Sequence, residues 1–156
     1  MNNKVHYQPP GFHTATPYLI VDGAARALEF YQQAFGATEL FRMPMPNGKV
    51  CHAEMQIGDS RLMLADEFPE MGARGPLSLG GTPLGLMLYV ADCDAMFARA
   101  VALGAKVLEP LKDQFYGDRS GTISDPFGHK WTLATHTEDL SKEELDKRAA
   151  AAFGNK

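Results

Sequence analysis

The chain has 156 residues, 45% of them hydrophobic and 22% charged, with a formal net charge of −4. That length fits one domain with core enough to fold unaided, and the apolar fraction excludes disorder over most of it. The acidic balance, 19 Asp and Glu against 15 Lys and Arg, argues against nucleic acid or an anionic membrane surface as the partner. Cys51 and Cys93 make no disulfide framework, residues 1–10 hold no apolar signal region, and no stretch approaches a membrane span. The expected compartment is a reducing cytoplasm.

Residues 1–11, with Pro9 and Pro10, read as a mobile lead-in. A short apolar run over 16–21 predicts a strand, ended by Asp22 and Gly23. Over 24–35 the period changes: Ala27, Phe30, Tyr31, Ala34 and Phe35 recur at helical steps, and Gly36 stands where a helix C-terminus favours positive φ. Three strands follow over 38–43, 50–57 and 61–65, separated by Asn47-Gly48 and Gly58-Asp59, which predicts an antiparallel meander. Residues 66–83, rich in Gly and Pro and without a period, read as a linker or long loop.

The first pattern then returns. A strand over 85–91, Asp92 as N-cap, a helix over 95–103 and strands over 106–111, 119–124 and 130–135 repeat the order of the first half. Each half is a βαβββ module whose helix covers one sheet face and leaves the other for a ligand, the other half or a partner chain. Residues 141–156 begin with a capping box, Ser141 and Glu144, and carry an apolar stripe of Leu145, Ala149, Ala152 and Phe153. That helix is expected to brace its own domain.

These features together resemble one family. The tandem βαβββ halves, the segment Phe35-Gly36-Ala37 and the run Asp125-Pro126-Phe127-Gly128-His129-Lys130-Trp131 resemble the vicinal oxygen chelate superfamily of glyoxalases, bleomycin-resistance proteins and dioxygenases. His52-Ala53-Glu54 and residues 113–119 are similar to its PhnB-like branch. The resemblance implies an α+β fold: two tandem βαβββ modules forming curved mixed sheets around a cup-shaped cavity, plus a C-terminal helix. Residues 1–140 would make one domain of two half-modules (about 14–66 and 84–138, linker 67–83), followed by the helix and tail over 141–156. It also implies homodimers, in which the halves pair within one chain or swap between two.

Metal-dependent members hold a divalent ion by His or Glu on inward strand positions. Here those positions fall on Thr16, Gly85, Thr132 and the neighbourhood of Met63, none a good ligand, so no cofactor is expected. Strand alternation directs Tyr18, His52, Glu54, Gln56, Met87, Tyr89, Thr132 and His136 into the cup, with Tyr116 as a further aromatic wall. Arg119 is a candidate for a carboxylate-bearing ligand or, equally, for an ion pair that fixes its hairpin. His52 and Glu54 read as a solvated ion pair, as a general acid–base pair, or as two ligands of a relocated divalent metal completed by His136 or Glu138. The expected function is metal-free binding of a small organic molecule, the alternative a divalent-metal-dependent lyase, isomerase or dioxygenase.

Overall fold

Ala24, Ala27, Leu28, Phe30, Tyr31, Ala34 and Phe35 form the buried stripe of helix α1 (Ala24–Phe35). The helix ends where Gly36 takes φ 68, and the Gly36 and Ala37 N–H groups donate back to Gln32 and Tyr31 carbonyls. The stripe covers one face of a four-stranded sheet in the order β1 (Tyr18–Val21), β4 (Ser60–Asp66), β3 (Val50–Ile57), β2 (Thr38–Pro44). β1 runs parallel to β4; the other pairs are antiparallel. Leu19, Val21, Ala53, Met55, Leu62 and Leu64 are buried on the helix side, each large apolar side chain contributing about 1.5–3 kcal/mol.

The second half repeats this plan. Its sheet has the order β5 (Gly85–Tyr89), β8 (Lys130–His136), β7 (Asp118–Ser124), β6 (Lys106–Asp113), and β5 is parallel to β8. Helix α3 (Cys93–Ala102) buries Met96, Phe97 and Ala100, and Asp92 caps it by accepting the Ala95 N–H at 2.9 Å. Gly121 is required by contact: a Cβ there would lie 2.7 Å from the Phe97 ring. Trp131, fully buried, donates Nε1–H to Asp125 at 2.8 Å, while the other Asp125 oxygen accepts the Phe127 and His129 N–H groups. One carboxylate therefore organises the whole Asp125–Trp131 turn.

The computed structural model describes residues 5–154, so 1–4 of the expected lead-in and 155–156 of the expected tail lie outside the described residues. The chain divides into two compact units between Gly81 and Thr82. Two expectations are corrected. The lead-in is anchored at Phe12, which is buried, and at Pro10, whose carbonyl accepts from Arg61. Of the stretch 67–83, residues 67–81 belong to the first unit and 82–83 to the second. The stretch holds a 3₁₀ turn (Pro69–Met71) and helix α2 (Pro76–Leu79), and Glu67 accepts the Gly75 N–H at 2.7 Å. Proline in the first turn of each and glycine after each start and stop these pieces, a signal with no period to read.

The C-terminal helix α4 (Lys142–Phe153) buries none of its residues. Ser141 accepts the Glu144 N–H, but the Glu144 carboxylate pairs forward with Arg148 rather than back to the cap. Arg148 also binds Glu138, and Phe153 meets Phe115 edge-on at 5.5 Å. The expected brace is thus an ion pair and one ring contact; the apolar stripe stays largely exposed. No described helix is long and apolar enough to cross a membrane.

Candidate functional site

In the first unit the sheet face away from α1 carries Tyr18, His52, Glu54 and Gln56, as alternation predicts. Three of them touch. Tyr18 Oη lies 2.9 Å from His52 Nδ1, and His52 Nε2 lies 3.3 Å from Glu54 Oε1. Burial, and next the charge of Cys51, push the Tyr18 hydroxyl above its ordinary range. Gln56 stands apart and donates to the Gly58 carbonyl in the hairpin turn.

Beside this chain of side chains is a cavity of about 580 Å³ lined by Tyr18, Ile20, Met45, Asn47, Lys49, Cys51, Ala65, Asp66, Phe68, Glu70, Met71 and Ala73. All belong to the first unit, and Tyr18 joins cavity to hydrogen-bonded chain. Cys51 reaches it through a β-bulge. Met43 pairs with His52 and Pro44 with Val50, so Cys51 is the extra residue and shares the open side with its neighbour. Strict alternation misses Cys51 for that reason, and the Met45–Lys49 and Phe68–Ala73 loops because they lie outside the strands. Asp66 lines the floor with its carboxylate engaged: it accepts the Gly23, Ala24 and Val50 N–H groups at 2.7–2.9 Å.

In the second unit Met87, Tyr89, Thr132 and His136 share the open face. Two of them meet at Asp118, a buried residue that site prediction passed over. Its oxygens face Tyr89 Oη at 2.8 Å and His136 Nδ1 at 2.7 Å, and His136 Nε2 faces Asp139 at 2.9 Å. These contacts raise the His136 pKa, Asp118 more than Asp139, and the same Asp118 bond raises that of Tyr89. Thr132 shares a hydrogen bond with Thr122 at 3.0 Å; Tyr116, in the turn before β7, acts on Tyr89 and meets the Phe115 ring edge-on.

Arg119 does not join the open face. It follows Asp118 in β7 and so faces α3, where Nε and Nη2 grip both oxygens of Asp94 at 2.7 and 2.8 Å and Nη1 reaches Asp113 at 3.2 Å. The guanidinium is held firmly charged, with three of its N–H donors engaged. The ion pair expected to fix the hairpin is made with Asp113, the register partner of Arg119 on β6, and Asp94 of α3 is a second partner. Alternation carried one residue further would have put Asp118 on the open face and Arg119 behind it.

The positions where metal-dependent relatives carry ligands can now be tested as donors. Tyr18 pairs with Met63 and Met87 with Thr132, so Met63 and Thr132 occupy the same register in the two units. With Thr16, which donates to the His13 carbonyl, and Gly85, the set is one thioether, two hydroxyls and no side chain. It does not fit a hard or borderline divalent ion. His52 and Glu54 do come together, but both His52 ring nitrogens are engaged, and among the described residues no third His, Cys, Asp or Glu joins them.

The profile of the Glyoxalase/Bleomycin resistance protein/Dioxygenase superfamily matches residues 11–133. The chain belongs to that superfamily. A similar protein is the uncharacterized protein Rv0887c of Mycobacterium tuberculosis, 46% identical over 133 residues, 83% of this chain and 78% of that one. Among solved structures, protein PA1353 from Pseudomonas aeruginosa is 26% identical with a TM-score of 0.67, covering 81% of this chain and 99% of that one. The PhnB protein from Bacillus cereus, at 20% identity and TM-score 0.59 over 79% and 99%, shares the fold. Superfamily membership supplies the paired βαβββ architecture; the chemistry has to be argued from the side chains.

Proposed function

We propose that this protein is a metal-independent small-molecule-binding member of the superfamily, of the PhnB-like branch, whose ligand occupies the first unit's cavity. The observation that carries the reading is the cavity itself. Its volume of about 580 Å³ lies in the range of about 300–1,000 Å³ typical of ligand pockets. Apolar walls from Ile20, Met45, Ala65, Phe68 and Met71 stand beside a polar set of Tyr18, Asn47, Lys49, Asp66 and Glu70. The donor chemistry at the usual ligand positions supports the absence of a metal role. The exposed apolar side chains on the open faces, Tyr18, Phe41 and Met43 in one unit and Met87 and Tyr89 in the other, support pairing as a homodimer.

Calorimetric titration with two aromatic probes, 4-nitrophenol and 4-nitroanisole, tests the binding reading on chelator-treated protein. Binding is expected to persist after chelation and to be lost in Ala73→Trp, which fills the cavity from its exposed loop. Binding unchanged in that variant would place the ligand elsewhere. A stoichiometric divalent metal lost on His52→Ala would overturn the metal-independent reading in favour of the relocated site. Sedimentation at the mass of one 17.1 kDa chain would overturn the dimer.

A further inference from the structure

We infer that the cavity takes planar aromatic ligands bearing an acidic hydroxyl, and that Tyr18, His52 and Glu54 form a proton relay that leaves such a ligand bound as its anion. The inference rests on the binding reading above and adds to it a ligand class and a chemical act.

The direction of each hydrogen follows from the neighbours. A Glu54 carboxylate oxygen accepts, so the His52 Nε2 facing it at 3.3 Å carries the ring hydrogen. In the neutral ring Nδ1 is then an acceptor, and the Tyr18 hydroxyl 2.9 Å away donates to it. Toward the cavity Tyr18 Oη therefore offers lone pairs only, and it selects a ligand that brings a donor. As the ligand O–H bond breaks, its proton binds Tyr18 Oη, and the proton Tyr18 held passes to His52 Nδ1. The ring becomes an imidazolium whose second N–H already points at Glu54. The ligand oxygen keeps its electron pair and accepts a hydrogen bond from the re-formed Tyr18 hydroxyl. Only O–H and N–H bonds change, and no co-reactant is needed.

The other polar groups around the cavity do not provide this path. Lys49 Nζ donates to the Glu67 carbonyl at 2.8 Å and lies over the Phe68 ring. Asp66 is occupied by three backbone N–H groups, Glu70 is exposed, and the Cys51 thiol stands beside Tyr18, raising its pKa. Lys49 brings one positive charge to a wall that also carries Asp66 and Glu70, so the charge that balances a bound anion is the His52 imidazolium. The aromatic part of the class follows from Met45, Met71 and Phe68, since thioethers and ring edges pack well on flat π-systems.

The test follows the protonation state of bound 4-nitrophenol by its absorbance across pH, with 4-nitroanisole as the isostere that has no hydroxyl hydrogen. The bound phenol is expected to ionise about one pH unit below the free compound, a shift of the size a single paired charge produces. Tyr18→Phe and His52→Gln should both remove the shift, and His52→Gln should still bind the probe, with circular dichroism confirming that each variant is folded. An unshifted bound phenol, or a shift that survives His52→Gln, would overturn the relay while binding of both probes left the cavity reading intact. If neither probe bound, the cavity reading would fail and the relay with it.

Discussion

His136 faces a carboxylate oxygen from each ring nitrogen, Asp118 at 2.7 Å and Asp139 at 2.9 Å, and carboxylates only accept. With both contacts made, the ring carries two hydrogens and a positive charge. Its pKa is raised in the folded chain, so the contribution it makes is fully present below the ordinary value of 6.5 and is lost as pH rises through the folded value. Stability measured by urea denaturation should therefore fall more steeply above pH 6.5 in the natural protein than in His136→Asn. Identical profiles would show that the doubly bonded ring adds nothing. The same residue shows what was legible. Alternation placed His136 on the open face correctly, but its partner Asp118 was hidden by its neighbour Arg119. Adjacent residues in a strand face opposite ways, so the predicted Arg119 and its neighbour Asp118 are separated by the backbone.

At the scale of elements, the two units solve one problem with different residues. Each helix begins beside the end of the strand paired with its unit's first strand, and a side chain there accepts helix N-terminal N–H groups. In the first unit Asp66 does so for Gly23 and Ala24, and also for Val50 of β3. In the second, Thr135 accepts the Cys93 N–H at 3.0 Å and donates to the Val90 carbonyl at 2.9 Å. Removing a cap leaves buried and part-buried donors without their partner. Asp66→Ala should cost about 3 kcal/mol and Thr135→Val about 1 kcal/mol in chemical denaturation. Equal losses would contradict the role assigned to the threefold acceptor. α1 and the meander could be read from period and turn residues because both signals are local. The bulge at Cys51 and the short turns over 67–83 could not: an extra residue or a single proline-led turn leaves no period.

For the whole molecule, the repeat was the most informative thing in the sequence, and it led to two sheets of like order, β1-β4-β3-β2 and β5-β8-β7-β6. It says much less about the site, because the repeat equates Met63 with Thr132 while the chemistry lies in what the halves do not share. Tyr18, His52 and Glu54 were each predicted on the open face; the cavity beside them is built by loops that pattern reading leaves blank. On the proposed reading, this cavity receives the ligand. Methyl NMR of selectively labelled methionines during titration with 4-nitrophenol tests it most directly, since Met45 and Met71 line the cavity and Met87 lies on the other unit's open face. Saturable shifts are expected at Met45 and Met71, and none in Ala73→Trp. Saturable shifts at Met87 with Met45 and Met71 unmoved would contradict that reading.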